Sequence, residues 1–203
     1  MSRATLFGSR TSPYVRLARL VIVRANAEAA VSFEVSAPFD DAHRAKNPLG
    51  KVPALQVHDG PLLAETSLIV RTINGWGTDD LFPEDPAARL QAEADLAMLL
   101  GVLDLGVAYF LETQRPKEAQ SKHWLDRRLE GIRAALPYID AIAKRAVDHQ
   151  GGITALALAV TTDWLSFRLS DAVSWNDRCP AAAALTDTLL AQPDIAATDP
   201  RAA

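Results

Sequence analysis

Apolar positions along the chain follow two different periods. Through the first ~80 residues, short apolar runs alternate with amphipathic stretches, as in an α/β unit. Thr5–Gly8, Val31–Ser36, Ala54–His58 and Leu62–Ala64 read as strands, the last one following the turn Asp59-Gly60-Pro61. Tyr14 to Ala25 reads as a helix with Pro13 at its first position. Leu68, Ile69, Ile73 and Trp76 share one face of a further helix that ends at Gly75 and Gly77. The predicted order is β-α-β, a connecting segment, then β-β-α.

After Pro83-Glu84-Asp85-Pro86 only helical spacing remains. Leu90, Ala94, Leu96, Leu99, Leu103, Val107 and Phe110 lead to a break at Pro116. Leu125, Leu129, Ile132, Leu136, Ile139 and Ile142 mark a second helix, with Pro137 predicting a kink near Ala134 or a break. Beyond Gly151-Gly152, Ile153–Val160 is apolar on every side apart from Thr154, which places it inside a bundle. A short helix over Ala181–Ala191 closes the pattern. Asp79–Pro86, acidic and with two prolines, reads as a linker between an α/β domain over 1–78 and an all-helical domain over 87–203.

The 203 residues suffice for two small domains, and 49% hydrophobic with 23% charged residues fits a folded, globular chain. The net charge of −4 is dispersed, so neither a nucleic-acid surface nor an acidic arm is expected. With one cysteine, Cys179, no disulfide can form within the chain, which suits a reducing compartment. His43, His58, His123 and His149 lie far apart, so no metal is expected. Met1-Ser2-Arg3-Ala4 lacks the apolar core of a signal peptide. Leu96–Leu111 falls short of the ~18–20 apolar residues of a membrane span and reads as a buried helix or a subunit contact. A soluble cytoplasmic protein is the expectation.

Three short segments carry candidate chemistry. Ser12-Pro13-Tyr14-Val15 stands where the first strand gives way to the first helix. A helix start offers unpaired N–H groups and a partial positive charge, which favour an anion. The Ser12 hydroxyl cannot exchange disulfides, but it can donate a hydrogen bond to a thiolate supplied by another molecule. In Asn47-Pro48-Leu49-Gly50-Lys51-Val52-Pro53-Ala54-Leu55, proline at the mouth of a strand marks an edge or turn. The Val52-Pro53 bond reads either as an ordinary turn or as a cis peptide freeing the Val52 backbone for an extended ligand. At Glu65-Thr66, Thr66 is a candidate helix cap and Glu65 a favourable first-turn anion. The alternative is that the pair holds a ligand carboxylate and ammonium.

In this order, Ser12-Pro13-Tyr14, Asn47–Leu55 and Glu65-Thr66-Ser67-Leu68-Ile69 resemble the glutathione transferase superfamily. The resemblance covers essentially the whole chain. It implies a thioredoxin-like domain followed by an all-helical bundle, with Ser-Pro-Tyr in place of the Cys-Pro-Tyr-Cys turn of glutaredoxin-type members. Val52, before Pro53, matches the residue whose backbone pairs with the cysteinyl unit of glutathione. Glu65 and Thr66 match the acidic and hydroxyl pair that holds the γ-glutamyl end, where the family usually has serine instead of Thr66. Lys51 is placed to reach the glycyl carboxylate. Aligned on Pro13, Ser12 replaces the cysteine of omega-type members, Thr11 falls nearer the serine of delta-type members, and Ser9 is a third candidate. The family often has a Ser/Thr-x-x-Asp box at its central buried helix. Here Ala157 stands in place of the aspartate, so Thr154 is expected to cap alone.

The implied activity is transfer of glutathione, bound as a co-substrate, to a small apolar electrophile. Tyr14, Tyr109, Phe110, Trp164 and Phe167 are the candidate wall of a pocket between the first helix and the long helices. The resemblance also implies a homodimer. Glutathione-dependent isomerisation and a non-catalytic ligand-binding module are the alternatives on the same fold.

Overall fold

The computed structural model of the chain describes residues 2–202. Two compact units form, one from Met1–Glu84 with Gln192–Ala203, the other from Asp85–Ala191.

In the first unit, β1 (Ala4–Gly8), α1 (Pro13–Arg24), β2 (Val31–Val35), α2 (Asp41–Arg44), β3 (Ala54–Val57), β4 (Leu62–Leu63) and α3 (Thr66–Asn74) follow in sequence. The sheet order is β2-β1-β3-β4, with β1 parallel to β2 and the β1–β3 and β3–β4 pairs antiparallel. This mixed sheet with its helices is the thioredoxin-like half expected from the sequence. α1 starts at Pro13, whose missing N–H is not needed there, and it buries Val15, Leu17, Ala18, Leu20 and Val21. Gly8 makes that entry close: a Cβ there would lie 2.3 Å from Val15 Cγ2, so a side chain would push the helix off the strand end. α3 packs on α1 through Ile69, Val70 and Ile73.

The segment after α3 is fastened to this unit and is not a free linker. Asn74 accepts from the Leu81 N–H at 2.9 Å and donates to Asp80 at 2.8 Å, while Leu81 and Phe82 are buried.

The second unit contains α4 (Pro86–Thr113), α5 (Lys122–Ala146), α6 (Ile153–Leu169) and α7 (Pro180–Leu190). α6 is buried on all sides from Ala155 to Leu165, as its unbroken apolar run implied. α4 and α7 both pack on α5 and α6. By length and composition α4 could cross a membrane, with a mean hydropathy of 1.8 over its most apolar window. It nevertheless carries an ion pair on its inner face. Asp95, 5% exposed, accepts from Arg145 of α5 at 2.6 Å. The inner face runs through Ala92, Asp95, Leu96, Leu99, Leu103 and Gly106. Leu90 and Ala94 lie about half a turn away and are exposed, contrary to the sequence pattern.

Of the kink or break expected at Pro137 the break does not occur: α5 continues through it. At the next helix the expectation changes. α6 begins at Ile153 with Gly152 as its N-cap, so Thr154 is already helical and cannot cap.

The closing segment returns to the first unit, so the helical unit is 85–191 and not 87–203. Its α8 (Pro193–Ala196) buries Ile195. Arg16, 3% exposed, donates from Nε to Thr198 Oγ1 at 3.1 Å and from Nη2 to the Ile195 carbonyl at 3.3 Å. Arg24 donates to Asp194 at 2.9 Å and also to Gln192.

Candidate functional site

The strand register brings the three chemistry-bearing segments to one end of the sheet. Phe7 faces Ala54 in the antiparallel β1–β3 pair, and Leu55 faces Leu63 in the β3–β4 pair. Continuing both registers by one step sets Pro53 abreast of Gly8 on one side and Glu65 on the other. At this end residues 9–12 leave β1, residues 51–53 lead into β3 and Glu65-Thr66 follow β4. The N-termini of α1 and α3 open at this same end, so free helical N–H groups and partial positive charge gather there.

At the first of these termini, Ser12 is the N-cap of α1, and its Oγ accepts from the Val15 N–H at 3.4 Å. A hydroxyl that accepts in this way keeps its own proton to donate. Ser12 is half-buried and its N–H bonds the Ser9 carbonyl at 3.3 Å; Ser9 is half-buried and Thr11 exposed. Tyr14, the second residue of α1, is half-buried.

The middle strand contributes an open backbone. The Val52-Pro53 peptide is cis, and among the described residues neither the Val52 N–H nor its C=O makes a hydrogen bond. The preceding loop is clamped by two side chains the sequence did not single out. The Lys51 carbonyl accepts from His43 Nε2 and Asn47 Nδ2, both at 2.8 Å. Because a carbonyl can only accept, His43 carries its proton on Nε2, and its Nδ1 faces the Ser36 hydroxyl at 2.8 Å. His43 is fully buried and Asn47 nearly so. Asn-Pro within a turn is a readable signal for Asn47, but nothing in the sequence marks His43 as buried. Gly50 completes the loop at φ +64, a left-handed conformation that glycine adopts without strain. The Lys51 side chain is exposed.

At the second helix start the expected roles are exchanged. Glu65 is the N-cap, its carboxylate accepting from the Leu68 N–H at 3.0 Å and from the Ser67 hydroxyl, while Thr66 is the first helical residue and is buried. Partial burial works against the charge of Glu65. The Ser67 hydroxyl, the N–H groups of Ser67 and Leu68, and the Arg71 charge outweigh it, so the carboxyl lies below its ordinary pKa. A carboxylate has about four acceptor positions, which leaves room for a ligand ammonium.

The aromatic candidates of the second unit divide. Trp164 is core: it is 4% exposed, meets Phe110 edge to face at 6.3 Å, and leaves no room for a side chain at Gly106. Tyr109, Phe110 and Phe167 are half-buried, and Arg168 lies over the rings of both phenylalanines. An open cleft of about 280 Å³ in this unit, lined by Ser166, Ser170, Trp175, Asn176 and Asp177 among others, contains none of the anticipated residues. Cys179 is also here, fully buried, its Sγ donating to the Leu136 carbonyl at 3.2 Å. Burial, with Asp140 nearby, raises its pKa, so it is an unreactive thiol. Among the described residues, no three His, Cys, Asp or Glu side chains are grouped to hold a metal.

The chain is similar to known proteins along its length. The family described as glutathione S-transferase, N-terminal domain, matches residues 6–75. The GST-like protein YibF of Escherichia coli (strain K12) is 27% identical over 202 residues, spanning 96% of this chain and 98% of its own. A glutathione transferase family member from Pseudomonas fluorescens Pf-5, solved with bound glutathione, is 30% identical with a TM-score of 0.89, covering 97% of this chain and 98% of that one. A glutathione S-transferase from Methylobacterium radiotolerans JCM 2831, in complex with glutathione sulfonate, is 28% identical with a TM-score of 0.84, over 97% and 94% of the two chains. A shared fold and 30% identity over nearly the full length, together with the N-terminal family match, make this chain a member of the glutathione transferase superfamily.

Proposed function

We propose that the protein is a glutathione transferase that activates the thiol of bound glutathione for attack on a small electrophile. The observation carrying this reading is the convergence, at one end of one sheet, of a serine hydroxyl at a helix start, an unpaired Val52 backbone and the α3 terminus. In it, Val52 pairs with the cysteinyl unit, and Glu65 and Thr66 receive the γ-glutamyl ammonium and carboxylate. Lys51 meets the glycyl carboxylate. Ser12 donates to the sulfur and, with the α1 N–H groups, lowers the thiol pKa from its free value of about 8.5.

No protein nucleophile takes part, which suits a chain whose single thiol is buried. Tyr14, beside the thiol-activating loop, is the side chain proposed for the electrophile; Trp164, being core, is withdrawn from that role. We further propose a cytoplasmic homodimer that buries exposed apolar side chains of α3 and α4. No metal is part of this scheme.

Titration with glutathione in a calorimeter, together with conjugation of 1-chloro-2,4-dinitrobenzene, tests the reading. Saturable binding with turnover above the uncatalysed rate is expected. Binding without turnover would make the protein a ligand-binding module, and absence of binding would remove the proposal.

A further inference from the structure

The Ser9–Ser12 loop carries positive charge that the first unit does not neutralise. The Arg10 guanidinium lies 5.9 Å from the centroid of the Phe33 ring in β2, and that of Arg19, on α1, lies 5.0 Å from the same ring. Among the described residues neither has a carboxylate within ion-pair distance. Their neighbours do have counter-charges: Arg24 pairs with Asp194, Lys46 pairs with Glu34, and Arg16 lies near Asp199. Arg19 is half-buried, and its pKa is lowered by that burial and then by the charges of Arg10 and Arg16. Two cations stacked on one ring are held in place by its face but still repel each other, which leaves a prepared place for an anion.

Arg10 stands between Ser9 and Thr11 and two steps from Ser12, with consecutive Cα atoms about 3.8 Å apart. Arg10 is thus the cation nearest in sequence to the Ser12 hydroxyl, ahead of Arg16. We propose that Arg10, with Arg19 beside the same Phe33 ring, selects electrophiles bearing a carboxylate, so the second substrate is an apolar body with an anionic group. This rests on the glutathione reading above and names its acceptor class.

The test compares 4-chloro-3,5-dinitrobenzoate with its uncharged benzamide. In both, the glutathione thiolate attacks the ring carbon bearing chlorine. A C–S bond forms, the C–Cl bond breaks, chloride leaves with the electron pair and the thiol proton passes to solvent. The wild type is expected to favour the acid by about tenfold in kcat/KM, the size of one charge-assisted hydrogen bond. R10Q is expected to reduce that ratio to near one, and R10K to restore part of it. Equal loss on both acceptors in R10Q would assign Arg10 to the thiolate and overturn the proposal, as would a wild type without preference.

Calorimetry with S-(2-carboxyethyl)glutathione and S-propylglutathione provides a readout independent of turnover. Tighter binding of the carboxylated conjugate, lost in R10Q, supports the inference. Equal binding of the two overturns it alone, whereas failure of both to bind overturns the glutathione reading beneath it.

Discussion

At Ser12 the hydroxyl oxygen accepts from the Val15 N–H, so its proton is free for an outward acceptor. A hydrogen bond to a charged group contributes about 1.5–3 kcal/mol, and one pKa unit corresponds to about 1.4 kcal/mol. S12A is therefore expected to raise the bound thiol pKa by about 1–2 units. It should slow conjugation roughly tenfold or more near neutral pH while glutathione binding persists. Absorbance of bound thiolate against pH measures the first effect; T11A and S9A are the controls, and an unchanged S12A profile with a shifted control would move the role to that residue. Single residues are also where the sequence misleads. Thr66 and Thr154 both look like caps because the residue type is right. A cap, however, is fixed by where the backbone first turns helical, which makes Glu65 and Gly152 the capping residues, one and two positions earlier in the chain. The burial of His43 depends on the Lys51 carbonyl and the Ser36 hydroxyl, partners that local sequence does not reveal.

Elements are far more legible, because the long helices repeat their signal over many residues and the short strands are set off by turn residues such as Asp59-Gly60-Pro61. What escapes is supplied from a distance. α7 has Cys179 at its N-cap with no capping side chain, yet its first N–H groups are satisfied by Asp140 of α5, which accepts from Ala181 at 2.8 Å and Ala182 at 3.2 Å. The same carboxylate pairs with Lys144 at 2.8 Å. Burial opposes its charge, but the Lys144 hydrogen bond and the two N–H groups prevail and hold the carboxyl below its ordinary pKa. D140A is expected to cost about 1–2 kcal/mol at pH 7, as for loss of a helix cap. A carboxyl lowered in the folded state stabilises fully above its unfolded value of about 3.9, and less as pH falls through the lower folded value. The wild-type advantage over D140A should therefore be constant from neutral pH to about pH 4 and shrink below it. Denaturant melts at stepped pH would show this, and an advantage that grew on acidification would refute the cap.

For the molecule as a whole, the α/β-then-helical order is readable, whereas the assignment of the closing segment is not. That assignment depends on Arg16 and Arg24 of α1 meeting residues far along the chain. The apolar Leu96–Leu111 run also has two uses open to it. Leu96, Leu99, Leu100, Val102 and Leu103 turn inward, and the side chains that α4 leaves outside include Leu90 at 69% and Met98 at 41% exposure, with Leu68 on α3 at 48%. If these are the surfaces of the proposed homodimer, sedimentation should give twice the chain mass, and the double variant L90E/M98E should sediment as a monomer. A monomeric wild type would discard the dimer. The return of α8 to α1 has a further consequence during synthesis. A ribosome releases Gln192 and the residues beyond it only after the entire four-helix unit, so α1 must wait, with Arg16 lacking its acceptors on Thr198 and Ile195, while the later-made helices can already assemble. The unit that holds α1 is thus completed only after the later-made helices.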